Sequence, residues 1–160
     1  MSTSKAKTRK PTKAPDAVAL LKADHRQVKA WFDEFEDAKS RKLKRKLAIQ
    51  ICNALTVHAQ IEEEVFYPAF LQATRDKDIH HEAVLEHRSA KELIAEIQNS
   101  SPADDYFDSK VHVLAEMIRH HVKEEEQKDG MFAEAKGSKM ALEALGARMQ
   151  ARKQQLMSQM

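Results

Sequence analysis

Histidine followed four residues later by glutamate occurs four times in this chain, at His58 and Glu62, His112 and Glu116, His120 and Glu124, and His121 and Glu125. On a helix, residues four apart lie one above the other, so each pair can bring an imidazole nitrogen and a carboxylate oxygen to one point. Such donors bind divalent metals, and the same groups exchange protons near neutral pH. Spacing alone does not choose among the four pairs; their apolar neighbours do. His58 and Glu62 continue a stripe through Leu47, Ile51 and Leu55, and His121 and Glu125 continue one through Val111, Leu114 and Ile118. His112 lies nine residues before His121, half a turn round a helix, and is expected to face water. His120 sits beside the stripe and ranks second as a ligand.

Two more histidines interrupt apolar stripes. His25 falls among Val18, Leu21, Val28, Phe32 and Phe35, and His87 lies on a side shared by Val84, Lys91 and Ile94. The stripes predict helices opening at Pro15 and Asp16, from about Lys42 to Phe70, from Ile79 to Gln98 and from Asp105 to Phe132, with a short fifth from Ser138 to Leu156. Ser101 and Asp104 are candidate caps before the fourth. Short connections predict an all-α, up-down-up-down four-helix bundle with a short C-terminal fifth helix. Only three glycines and four prolines in 160 residues agree with a helical chain.

Height along such a bundle is a second test. Counted from the ends shared by antiparallel neighbours, His25, His58, Glu62, His87, His121 and Glu125 all fall roughly 10 to 18 Å from one end at 1.5 Å per residue. A bundle whose histidines are ordinary core and surface residues does not account for that agreement in face and height. Six buried polar groups need partners, and a metal is an economical one. Four imidazoles and two carboxylates without a thiolate suit iron, or manganese where iron is scarce, rather than structural zinc or copper(I). If both glutamates bridge, the set holds two ions and leaves about two coordination positions open once a bridging oxygen is counted. An apolar lining from Phe32, Leu55 and Ile118 would admit dioxygen or nitric oxide while excluding charged solutes.

Outside this set the chemistry is sparse. A single cysteine, Cys52, excludes an intramolecular disulfide and Cys-pair metal motifs, and points to a reducing, cytoplasmic setting. No apolar run is long enough for a bilayer, so no membrane partner is expected. Five of the 27 Lys and Arg lie in residues 1–15, which carry no acid, so the remaining 22 face 25 acidic residues. Residues 1–15 are read as a disordered basic tail and 16–160 as one helical domain. Without interleaved aromatics the tail offers nucleic acid at most weak contact.

The segments "LLKADHRQV", "HAQIEEEVFYP", "LEHRSAKELI" and "IRHHVKEEEQKDGMF" resemble, in order, the metal-binding segments of the hemerythrin-like family of HHE cation-binding domains. The resemblance covers about residues 16–157. It implies His25, His58, Glu62, His87, His121 and Glu125 as ligands of a non-haem di-iron centre with bridging glutamates and a bridging oxo or hydroxo group. Oxygen-carrying members have two histidines four apart on the third helix; here the positions four from His87 are Ala83 and Lys91. That resembles a four-histidine, two-glutamate branch. The expectation is a protein that binds a small diatomic ligand, oxygen or nitric oxide, for sensing, scavenging or stress response, with a reductase as redox partner. A di-iron enzyme acting on peroxide, nitric oxide or iron is the alternative, and a metal-free helical interaction protein the second. Lys91 is expected to reach outward to water rather than to the bridging oxygen, Glu63 and Glu64 to form a solvated face, and Tyr67 and Tyr106 to place wet hydroxyls at the bundle ends rather than to give the site a phenolate or hydrogen bond.

Overall fold

Asp16 opens the first helix by accepting a hydrogen bond from the Ala19 amide at 2.8 Å, which satisfies one of the amides that a helix start leaves unpaired. The structure, a computed structural model, describes residues 14–160, so the basic tail lies almost wholly outside the described residues. The elements are α1 (Ala17–Asp37), α2 (Arg41–Ile61), a π-helical turn (Glu62–Phe66), α3 (Tyr67–Thr74), α4 (Lys77–Gln98), α5 (Phe107–Glu126), α6 (Met131–Lys136) and α7 (Leu142–Met157). Among the described residues there is no strand, and no helix is long and apolar enough to cross a membrane.

Three boundaries differ from expectation by four residues or more, the simplest being the short C-terminal helix, which begins at Leu142 rather than Ser138. The second helix does not stop at Phe70: α2, the π turn and α3 run end to end as far as Thr74, where Arg75 turns left-handed (φ 56°) and Asp76 caps α4. The fourth helix stops at Glu126 rather than Phe132, because Gln127 is extended and Gly130 begins α6. Ser101 and Asp104 accept from the amides of Ala103 and Tyr106, ordering the turns ahead of α5 rather than capping it directly.

The apolar core is split in two. One cluster holds Leu20, Leu21, Ile61, Phe66, Phe70 and Phe132; the other holds Val28, Phe32, Leu47, Ile51, Ile94 and Leu114. α1 and α4 pass from the first cluster to the second, α2 passes back, and α5 runs from the second towards α6, whose Met131 and Phe132 lie in the first, which is the up-down-up-down course. On α1, α2 and α4 the change of cluster falls beside His25, His58 and His87, and His121 lies on α5 between Ile118, packed against the second cluster, and Met131 of the first. In the first cluster Phe66 meets Phe132 edge-on at 5.8 Å and stacks with Phe70 at 6.5 Å, each such pair contributing about 0.5–1.5 kcal/mol beyond its buried area.

α7 closes the first cluster with Leu145, Met149 and Leu156. Gly146 makes the close approach possible: a Cβ there would lie 2.5 Å from the Pro15 carbonyl oxygen and 2.7 Å from the Ala17 nitrogen. Arg152 anchors the same helix to Glu64 with contacts of 2.8 and 3.1 Å. Cys52 is buried, and burial pushes its thiol up to about 11, so it is inert as a nucleophile.

Candidate metal centre

Each of the four bundle helices delivers one histidine to the layer between the two clusters. The π turn that continues α2 adds Glu62, and α5 adds Glu125. All six side chains singled out from the sequence are buried, Glu62 completely. They gather as two groups, His25 with His58 and Glu125, and Glu62 with His87 and His121, the ligating atoms of each group lying within 4.8 Å of one another. The carboxylates sit on the border between the groups. Glu62 Oε1 is 3.0 Å from His58 Nε2 and 3.3 Å from His87 Nε2; Glu125 Oε1 is 3.2 Å from His25 Nε2 and 3.4 Å from His121 Nε2.

These approaches are close but not aligned as hydrogen bonds. Nε2 of His25 and His58, both oxygens of Glu62 and Oε1 of Glu125 find no hydrogen-bond partner among the described residues. Buried polar atoms left so cost roughly 1–3 kcal/mol each, and more when charged. Converging lone pairs on imidazole and carboxylate remove that cost by holding cations, so the residues fit a metal site of nitrogen and oxygen donors.

The outward ring nitrogens form a second pattern that the sequence reading missed. Asp24 on α1 accepts from His58 Nδ1 on α2 at 2.9 Å, and Glu86 on α4 accepts from His121 Nδ1 on α5 at 2.8 Å. Glu126 on α5 accepts from His25 Nδ1 on α1 at 2.9 Å. Glu63 in the π turn faces His87 Nδ1 on α4 at 3.5 Å. Asp24, Glu86 and Glu126 thus each hydrogen-bond the histidine of a neighbouring helix, whereas Glu63 only faces His87, since neither its Oε2 nor His87 Nδ1 has a hydrogen-bond partner among the described residues; together the four carboxylates stand round the bundle. Holding Nδ1 protonated leaves the inward Nε2 free to bind metal. A signal did exist: Asp24, Glu63, Glu86 and Glu126 each adjoin one of the six candidate residues in the sequence, one step of 100° round the helix. Glu63, expected on a solvated face, is therefore corrected to a site residue. Lys91 pairs with it at 2.6 Å and points outward as expected. Glu64 does face solvent.

Tyr67 is the larger correction. Expected at a bundle end with a wet hydroxyl, it is buried, donates to Glu125 Oε2 at 3.1 Å, and lies 3.0 Å from His87 Nε2 and 3.3 Å from His121 Nε2. Nine residues after His58, a regular α-helix would turn it to the opposite side. The π turn inserts one extra residue, with the Tyr67 amide bonded to the Glu62 carbonyl five residues back, and so rotates Tyr67 towards the site. Pro68 helps to cause the turn, since it has no N–H to give the Glu64 carbonyl. Tyr67→Phe is expected to fold and to cost the metal-free protein roughly 1–3 kcal/mol in urea unfolding, because Glu125 loses a buried donor. Tyr106, by contrast, is 70% exposed.

Over residues 16–133 the chain matches the hemerythrin HHE cation binding domain. The chain belongs to that family. In fold it is similar to the crystal structure of a hemerythrin HHE cation binding domain-containing protein, the Rv2633c homolog from Mycobacterium kansasii, with a TM-score of 0.73 and 22% identity over 89% of this chain and 87% of that one. It is also similar to a protein named DNA nickase from Nostoc sp. (strain PCC 7120 / SAG 25.82 / UTEX 2576), 31% identical over 107 residues. That match takes in 67% of this chain but 30% of the relative, so the chain spans less than a third of that protein's length.

Charge in this HHE domain is balanced within the layer. Burial opposes a positive His58, but the carboxylates of Glu62 and Asp24 outweigh it and hold its pKa up at about 10. His121 is raised well above its ordinary value in the same way, by Glu125 and Glu86 against burial. Burial would raise Glu62, yet His58 and His87 hold it well below the usual carboxylate range. In the metal-free fold His58 keeps its proton through neutral pH. The stability this charge contributes is complete below about pH 6.5, the unfolded value, and is lost as pH rises through about 10. A metal competes for the same nitrogen, so apparent metal affinity is expected to rise with pH up to about 10, with protons released on loading. Calorimetry in two buffers of different ionisation enthalpy reads those protons; uptake without release would contradict the assignment.

A cavity of about 250 Å³ adjoins all four histidines, with Val28, Leu55, Ile94 and Ile118 among its apolar walls. His112 is exposed and pairs with Glu36, as its face predicted. His120 stays outside the layer, exposed, with Nε2 3.2 Å from Glu86.

Proposed function

We propose that this HHE domain holds two iron ions and takes up a small uncharged diatomic ligand, oxygen or nitric oxide, for sensing or scavenging. The observation that carries the reading is the position of Glu62 and Glu125, each with an oxygen within 3.4 Å of histidines from both groups. Such carboxylates would hold two ions together, with His25 and His58 holding one and His87 and His121 the other. Iron supplies the affinity for the diatomic ligand. The chain supplies the rest: the carboxylate ring orients the imidazoles, Tyr67 sets a hydroxyl between the groups, and the apolar cavity favours an uncharged ligand over ions.

Metal analysis of the pure protein with visible spectra, oxidised, reduced and then exposed to oxygen, nitric oxide or peroxide, tests this. Two irons per chain and a stable spectral change without consumption of the ligand are expected. Colourless protein with far less than two irons per chain would sink the di-iron reading. Catalytic loss of peroxide or nitric oxide would replace ligand binding with enzymatic turnover.

A further inference from the structure

We propose that the C-terminal helix is part of the metal centre, with Lys153 a positioning residue that acts on His58 through Asp24. The inference rests on the metal-binding reading above and adds a residue outside the 16–133 region matched by the family. Lys153 Nζ is ion-paired with Asp24 Oδ1, while Asp24 Oδ2 accepts from His58 Nδ1 at 2.9 Å. Asp24 thus spends one oxygen on each neighbour, and its side chain is only 12% exposed. A nearly buried carboxylate held by a lysine at one oxygen cannot rotate away from the imidazole at the other. His58 is thereby fixed with Nε2 turned inward, and its Nδ1 proton stays on a full negative charge, which makes the ring a better donor to metal.

α7 carries an internal control. The neighbouring Arg152 also anchors α7 to the bundle, but through Glu64, which faces away from the layer. Arg152 and Lys153 therefore separate the two ways in which α7 could matter: Arg152 holds the helix down, whereas Lys153 holds it down and also touches the residue that orients His58. Gly146 of α7 is pressed on the backbone of residues 15–17, and about seven residues further along each helix Lys153 meets Asp24 of α1.

The test uses the full chain loaded anaerobically with iron(II), in wild type, Lys153→Met, Lys153→Arg and Arg152→Met forms, with iron release read after adding excess of a chromogenic iron(II) chelator. Loss of the partner that orients a metal-bound histidine typically weakens metal binding 10–100-fold, so release from Lys153→Met is expected to be about tenfold faster. Lys153→Arg and Arg152→Met should release within about twofold of wild type. In an Asp24→Asn background, Lys153→Met should add nothing, since the charge it holds is gone; this second cycle decides the matter if Lys153→Met alone folds poorly. Release from Lys153→Met at the wild-type rate would overturn the inference alone, as would equal acceleration by Arg152→Met or full additivity with Asp24→Asn. Wild type that loads no iron at all would instead overturn the metal-binding reading, and this inference with it.

Discussion

Replacing His58 and His121 together with alanine is expected to abolish metal loading, with affinity falling by more than about 100-fold. The two residues belong to different groups, His58 with His25 and Glu125, His121 with Glu62 and His87, so neither group retains its ligands. The loss extends outward, because Asp24 and Glu86 each lose the ring they steady. Without metal the variant is also expected to be less stable at pH 7. In the metal-free wild type His58 is positively charged against Glu62, and removing one partner of a buried ion pair costs about 3–5 kcal/mol. His112→Ala is the matched control. Its side chain is exposed beside Glu36, so metal content should be unchanged and stability within about 0.5 kcal/mol. Metal analysis after equal loading, with chemical denaturation of the metal-free forms, reads both effects. Loss of metal from His112→Ala would show that the helix faces are misassigned.

Gly130→Ala is expected to destabilise the protein by about 1–3 kcal/mol and to loosen its metal. The backbone angle at Gly130 is one any residue adopts; space is what is lacking. A Cβ there would lie 2.4 Å from the Glu124 carbonyl oxygen and 2.9 Å from that of Glu125. Both carbonyls end α5, and the second belongs to a proposed ligand, so relief of the clash must move the Glu125 backbone. A shift of a few tenths of an ångström at that position is transmitted directly to a carboxylate placed between two groups of histidines. Gly137→Ala is the contrast: its Cβ would meet nothing nearer than 3.6 Å, and replacing glycine where the backbone permits stabilises by about 0.4–1 kcal/mol. Thermal melting with and without iron should move in opposite directions for the two variants. Equal melting temperatures for Gly130→Ala and wild type would contradict the close approach.

Much of the site was readable before any coordinates, because the rules that place it are local. A period of 3.6 residues put His58 with Glu62 and His121 with Glu125 on their apolar faces, and rise per residue brought His25 and His87 to the same height. The buried layer of six side chains agrees with both. Tyr67 was misplaced by the same rule. Periodicity assumes an unbroken ladder of bonds four residues apart, and one π turn beside Pro68 shifts the phase of everything after it. Glu63 was misplaced for another reason: an acid beside a ligand is a solvated residue or a partner for the next helix, according to what stands opposite.

The sequence by itself determined the helices, their antiparallel course and the six polar side chains that meet in the buried layer, since apolar spacing, caps and connection length act over a few residues. Tertiary structure decided what each donor touches: the border positions of Glu62 and Glu125, the ring of Asp24, Glu63, Glu86 and Glu126, and the reach of Lys153 from α7 to Asp24 across 129 positions of sequence. Those contacts join side chains far apart in the chain, and their identity depends on the rotation and offset of packed helices. Neither quantity is set by any one helix alone.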